Sequence, residues 1–355
     1  MEVGRLSKFL PLVELAHDES EVGMQVGLSV YGTTFSMGVH PASGRPTLRP
    51  QQLMEQALAL GLQGVELPFV FLNGADIEAL RRYAQEQQLF ITLDTYGYDP
   101  EHLSEVLELG ARLGVTTVRT LVGGAKLGGD RREMVGHWQD YLQQALAGFQ
   151  QATVVAERLG VNLAVENHQD IASEELLWLC STIASPQFGI VFDTGNPLAT
   201  AEEPLDFTRR IAPYVKHMHL KDYWIYLSEE GYRLVRCPLG QGVINFPAML
   251  DILAQTGHEI TKVVELGALE GRHVRVLADD YWPEYPPRSA PHFAQVWRFV
   301  QQHARPVGEW RTPFELREPV EAVVAYEQRQ LASSLAYLQM LFGGPNQQEV
   351  LSGRF

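Results

Sequence analysis

The chain has 355 residues, 45% hydrophobic and 20% charged, the proportions of an ordinary globular protein. Its 28 Lys plus Arg against 43 Asp plus Glu give a formal net charge of -15, which works against any partner built on a phosphate backbone. No apolar run approaches the roughly 20 residues of a membrane span, and Cys180 and Cys237 match no CxxC or metal-finger spacing. Neither nucleic acid nor a membrane is therefore expected as a partner.

Residues 1–25 read as an N-terminal extension. Its short apolar patch is interrupted by Lys8 and Glu14, so it lacks the core of a secretion signal. With no disulfide expected between the two cysteines, a reducing cytoplasmic setting follows. From Val26 onward, short apolar runs alternate with stretches of helical spacing. GLSVYGTTF reads as a strand, Pro50 to Leu60 as a helix stopped by Gly61, and GVELPF as the next strand. DIEALRRYAQEQQ is a helix opened by Asp76, and FITLDTYG a strand. A helix near His102 to Leu113, the strand TTVRTLVGG and a long helix from about Arg131 to Leu159 follow. The strand VNLAVEN then precedes the helix SEELLWLCSTIA, and the strand FGIVFDTGN precedes a helix from about Pro204 to Ala212. VKHMHLKD, an irregular stretch, the helix FPAMLDILAQTG and the strand TKVVELG complete the series.

Eight β units alternating with helices call for a parallel sheet. Closing it as a (β/α)8 barrel, the TIM-barrel architecture, uses residues 26–267. An open doubly wound sheet is disfavoured because no GxGxxG follows the first strand. After Gly267 the pattern changes. Residues 268–318 crowd aromatics and prolines around one short helix from His292 to His303 and read as a β8–α8 insertion. Residues 319–355 follow as the last barrel helix, with Val324, Leu331, Leu335, Leu338 and Phe342 on one stripe, and a tail.

Four strands in the second half end on metal-competent side chains: Glu166 in AVEN, Asp193 in VFDTGN, His219 in HMHLKD and Glu265 in VVELG. Singly, each has an ordinary reading, with Asp193 as a turn former and the two glutamates as salt-bridge partners. In a parallel barrel, however, all strand C-termini meet at one face. Three carboxylates converging there would repel one another, and a divalent cation removes that repulsion. Oxygen ligands with one imidazole suit Mn2+, and also Mg2+, Co2+ or Zn2+. His217 shares a face with His219, because side chains alternate along a strand.

AVEN, VFDTGN, HMHLKD, PLGQGVINF and VVELG, in this order and spacing, resemble the xylose-isomerase-like superfamily of sugar phosphate isomerases and epimerases. The resemblance covers roughly residues 26–267 and extends to the last helix. It implies a (β/α)8 barrel with one divalent metal held by Glu166, Asp193, His219 and Glu265. Asn196 stands where many relatives carry a histidine. Strands 2, 3 and 4 end near Glu66, Asp94 and Arg119 and the loop reads RCPLGQG, so the ligands of the endonuclease branch's trinuclear zinc site are missing.

The chemistry expected is proton abstraction beside a carbonyl, with the metal chelating a ketone oxygen and the neighbouring hydroxyl and stabilising an enediolate. Glu166 and Glu265 are the expected acid/base pair, with His168 as an auxiliary base. Asn196, His217, Lys221, Arg272 and Trp282 are the candidate substrate contacts. Without a Gly-rich phosphate cradle or an arginine cluster along the chain, a free sugar, polyol ketone or sugar acid is the expected substrate. The rival within the same family is a lyase, a dehydratase, a 3-oxo acid decarboxylase or a 3-oxo-glycoside-cleaving enzyme; a metal-binding barrel without turnover ranks below both. For the insertion two readings stand. Either it covers the metal site, with Arg272, His273 or Trp282 reaching substrate, or it packs on the barrel's outside or on a second copy in a homo-oligomer.

Overall fold

In the computed structural model, which describes residues 25–267 and 269–342, eight parallel strands close into a barrel. In ring order these are β1 (Val26–Ser29), β2 (Gly64–Pro68), β3 (Phe90–Asp94), β4 (Thr117–Thr120), β5 (Asn162–Glu166), β6 (Phe188–Asp193), β7 (Val215–Leu220) and β10 (Thr261–Val264). The strands are shorter than their apolar runs suggest. GLSVYGTTF leaves the sheet after Ser29 and enters a 3-10 turn. The expected N-terminal extension, save Gln25, and the tail beyond Phe342 lie outside the described residues.

Helices α1 (Pro50–Ala59), α2 (Ile77–Glu86), α3 (Pro100–Leu113), α4 (Trp138–Leu159), α5 (Ser173–Ile183), α6 (Pro204–Ile211) and α7 (Phe246–Ala254) alternate with the strands. Their ends carry local signals. Asp76 and Asp99 accept backbone N–H groups of the first turns of α2 and α3, and proline opens α1, α3 and α6. The expected start of α4 near Arg131 is corrected to Trp138, because the Arg131 side chain is drawn into a buried ion pair with Glu175. Leucine, isoleucine and valine side chains fill the space between barrel and helices in one continuous core.

The stretch expected to be irregular after β7 is a hairpin of β8 (Asp222–Ser228) and β9 (Gly231–Cys237). β11 (Arg272–Val274) pairs antiparallel with β9 and completes a three-stranded sheet outside the barrel. Its inner face packs Tyr223, Ile225, Tyr232, Leu234 and Val274 against Leu198 and Ala199, which follow β6. Tyr281 and Tyr285 join this second core, and their hydroxyls donate to the carbonyls of Ala199 and Gly129, 2.7 and 2.6 Å away. The segment after β10, which includes helix α8 (Ala290–His303), is thus tied to the loops at the strands' C-terminal ends. The last helix, α9 (Val320–Phe342), sends Glu327 to the backbone N–H groups of Phe35 and Ser36 at 3.0 and 2.9 Å.

Candidate active site

Strand register places the four candidate ligands side by side. Glu166 ends β5 and Asp193 ends β6, opposite His219 of β7, while Glu265 follows β10 directly. One ligand atom from each lies within 4.8 Å of the others, and all four residues are buried. His219 Nδ1 is 2.6 Å from Glu265 Oε2 and 3.8 Å from Glu166 Oε2. Apart from each other, His219 Nδ1 and Glu265 Oε2 have no hydrogen-bond partner among the described residues, although both are fully enclosed. Unpaired buried polar atoms cost free energy. Two of them facing each other among carboxylates fit a divalent cation at their centre.

Two groups outside this set hold it in shape, and a third lies near it. Glu66, at the end region of β2, accepts from His219 Nε2 at 2.8 Å, which leaves Nδ1 with the lone pair that faces the cluster. This is the carboxylate–histidine arrangement that orients metal-binding imidazoles. Glu66 also accepts from Ser29 Oγ at 3.1 Å. Arg119 of β4 forks onto Glu166 Oε2, with Nε at 2.6 Å. Burial works against the charge of Glu166, but Arg119 and His168 outweigh it and keep the carboxyl well below its usual range. The third group is Asp94 on β3. Burial raises its carboxyl to about 7, with Arg119 opposing, so a proton is available there near neutrality.

The remaining expected residues divide. Lys221 reaches the cluster, binding Asp193 closely and Glu265 Oε1 at 2.9 Å, rather than pairing with its neighbour Asp222. Burial raises Asp193 to about 6 with Lys221 opposing, whereas Lys221 and His219 overcome burial at Glu265 and lower it to about 2. His168 is half-buried nearby, and burial pushes its imidazole down to about 4, so it is neutral at physiological pH. Asn196 donates from Nδ2 to Glu166 Oε1 at 3.4 Å and accepts from Gln169 at 3.1 Å and the Tyr223 hydroxyl at 3.4 Å. His217 sits one layer below, its Nδ1 2.7 Å from Thr261 Oγ1 and its Nε2 3.6 Å from Glu66.

Arg272 is buried on the inner face of the small sheet, beside Arg236 and Tyr223. Two expectations for the insertion's side chains change. His273 alternates to the opposite face and meets Ser228 at 2.9 Å, so it points away from Arg272. Trp282 makes its contacts elsewhere: its indole N–H donates to Val276 O at 2.9 Å and its ring packs on Tyr281 and Phe293. Asp222, the last residue of HMHLKD, accepts the backbone N–H groups of Tyr223, Gly240, Gly242 and Ile244 at 2.9 to 3.1 Å. It thereby folds the PLGQGVINF loop beside the site.

The groups that sequence reasoning missed are Glu66, Asp94, Arg119 and Arg236. The first three were visible as strand ends in β2, β3 and β4. What gives them a role is contact across the barrel, and no spacing along the chain reports that.

Comparisons with known proteins agree with the fold. The family model described as "Xylose isomerase-like TIM barrel" matches residues 54–271. The 3-oxo-isoapionate decarboxylase of Pectobacterium atrosepticum is 26% identical over 196 residues, 55% of this chain and 67% of that protein. Among solved structures, an L-ribulose 3-epimerase superposes with a TM-score of 0.51 at 13% identity, covering 93% of this chain and 98% of the other. The IOLI protein with a bound zinc atom superposes with a TM-score of 0.51 at 15% identity, covering 78% and 98%. At these identities the two structures speak for the fold alone.

Proposed function

The chain belongs to the xylose isomerase-like TIM-barrel family, and on that premise we propose that it is a divalent-metal-dependent isomerase or epimerase of a keto-sugar, polyol ketone or sugar acid. The observation that carries the reading is the convergence of Glu166, Asp193, His219 and Glu265, two of whose buried atoms face each other with no other partner among the described residues. A metal bound there would polarise a substrate carbonyl and lower the cost of charge developing on its oxygen. Mn2+ suits three carboxylates and one imidazole, with Mg2+, Co2+ and Zn2+ as the other candidates.

The protein's own side chains would do the rest. Glu166 and Glu265, from strands three places apart in the ring, would take and return a proton at carbon on either face of the substrate. Arg119 and Lys221 make both carboxylates weak bases, which calls for an acidified C–H beside the carbonyl. Neutral His168 would accept or relay a hydroxyl proton, and Asn196 would hold Glu166 in place while contacting substrate. Return of the proton to the other face epimerises, and return to the adjacent carbon isomerises.

The reading in which the enediolate left by proton abstraction expels a β-substituent, or in which it arises by loss of carbon dioxide from a 3-oxo acid, is favoured by one observation, the similarity to a 3-oxo-isoapionate decarboxylase. Incubating the Mn2+-loaded protein with a panel of oxo-sugars and their acids in deuterated water tests both. Deuterium at a retained carbon with conserved mass otherwise supports the isomerase. Release of water or carbon dioxide supports the lyase, and no exchange with any carbonyl substrate would sink both.

A further inference from the structure

The arginines that lie far apart in sequence meet on the small sheet. β11 pairs with β9 so that Arg272 lies opposite Leu234, and Arg236, two residues on, shares that face. Such diagonal neighbours are about 7–8 Å apart. Arg236 in turn lies opposite Tyr223 of β8, whose hydroxyl donates to Asn196, the residue holding Glu166. The guanidinium of Arg236 also donates to the carbonyl of Gly267, two residues past Glu265. Gly267 takes a left-handed conformation (φ +43°), and a side chain there would occupy the space that the guanidinium fills. The inner face of the sheet therefore presents two cations at the rim of the candidate metal centre.

Both are buried, with 9% and 6% of their surface exposed, and both are incompletely paired. The Nε atoms of Arg236 and Arg272 are fully enclosed with no hydrogen-bond partner among the described residues. Among the described residues the one carboxylate within ion-pair distance of either is Glu270, whose side chain is 40% exposed and lies 3.0 Å from Arg272 Nη1; Arg272 Nη1 also donates to the Glu270 carbonyl at 3.2 Å, and Glu265 and Asp193 act on Arg236 only from farther off. Burial lowers the proton affinity of Arg272, and the neighbouring charge of Arg236 lowers it further. Two like charges, buried together with free N–H groups, are costly unless an anion joins them.

We infer that Arg236 and Arg272 form an anion subsite that takes the carboxylate of a sugar acid, placing its hydroxy-ketone end at Glu166, Asp193, His219 and Glu265. The inference rests on the metal-centred reading above and narrows its substrate class from sugars in general to acids. A carboxylate suits the pair better than a phosphate. The free edges are planar guanidinium forks, which match a carboxylate, and neither the register nor the contacts of these arginines involve a helix N-terminus of the kind that cradles phosphate.

The test is calorimetric titration of the full chain, Mn2+-loaded and separately after chelation, with D-gluconate and with uncharged sorbitol as probes. Wild type should bind gluconate at least tenfold more tightly than sorbitol. Arg272→Gln should abolish that preference and Arg272→Lys should keep only part of it, with bound Mn2+ per chain unchanged in each. Arg236→Gln should act like Arg272→Gln, and Arg236→Lys, which keeps the charge, stands in for it if the glutamine variant fails to fold. Equal binding of the two probes, or a preference that survives in Arg272→Gln, would overturn the subsite. Inorganic phosphate displacing gluconate with the higher affinity would overturn its assignment to a carboxylate. Absence of Mn2+ binding together with an arginine-dependent gluconate preference in the chelated protein would support the subsite and count against the metal-centred reading alone.

Discussion

The two halves of the barrel mouth are built from the same kind of residue and are used differently. Strands β5, β6, β7 and β10 end in Glu166, Asp193, His219 and Glu265, whose ligand atoms face one another. Strands β2, β3 and β4 end near Glu66, Asp94 and Arg119, which are as buried and as charged. Yet two of those three face the first set rather than a common centre: Glu66 fixes the imidazole of His219, and Arg119 fixes the carboxylate of Glu166. One half offers lone pairs and the other decides where they point. A charged strand end in a barrel is thus not evidence of ligation until its partner across the barrel is known.

Removing a ligand should separate the halves most sharply. His219→Ala is expected to abolish metal retention, measured as metal per chain after gel filtration, while the circular dichroism spectrum stays that of a folded barrel. Retention of a full equivalent of metal would mean that the centre lies elsewhere. Glu166→Gln and Glu265→Gln should next lower turnover by about 10²–10⁴-fold, the range for a lost acid/base group. Full recovery in excess Mn2+ would reduce both residues to ligands.

The supporting half should show a smaller effect of another kind. Glu66→Gln leaves all four ligands in place but replaces the carboxylate behind His219, so metal affinity should fall by about 10–100-fold. The pH dependence carries the sign. Burial works against a charged His219, but Glu66 and Glu265 outweigh it and raise its pKa well above the usual value. Without metal, protonation of His219 at Nδ1 is therefore favoured, and metal must displace that proton. Affinity should therefore rise with pH, with one proton released per metal bound, measured by calorimetry in buffers of different ionisation enthalpy. In Glu66→Gln the imidazole loses its strongest cationic support, so less than one proton should be released at pH 7. Equal release in both proteins would show that Glu66 does not control that nitrogen.

The same contrast explains what was legible beforehand. The barrel could be read because alternating β and α periods and capped helix starts are local signals, and the four ligands because each closes an apolar run on a polar residue. The hairpin of β8 and β9 was missed because its strands mix charged and polar with apolar residues and so carry no clean apolar run. Its amphipathic pattern has meaning only beside Leu198, Tyr281 and Tyr285, up to 63 positions away in the chain, which complete this sheet's inner core. Arg236 and Arg272 looked isolated for the same reason, since 36 positions separate them in a chain where the β9–β11 register places them together. Asp222 could be seen as part of HMHLKD, but its task, accepting three backbone N–H groups of a later loop besides that of Tyr223, depends on a turn that no spacing announces.

The smallest effect is expected outside both halves, at Trp282. Its neighbours Tyr281 and Tyr285 tie the segment to the barrel through hydrogen bonds to Ala199 and Gly129. Trp282 faces the other way. Its ring meets Tyr281 edge-on at 4.9 Å and Phe293 at 5.8 Å, and it lines a cavity of about 530 Å3 with Val276, Pro286 and Phe293. Half-buried and donating one hydrogen bond, it contributes packing in the second core, worth about 2 kcal/mol. Trp282→Ala should therefore lower the stability measured by urea unfolding by about that amount. Metal content and turnover should stay within about twofold of wild type, well below what loss of a catalytic group costs. A tenfold or larger fall in turnover with full metal content would contradict this placement and return Trp282 to the substrate, as a residue that reaches the site when the segment closes over it.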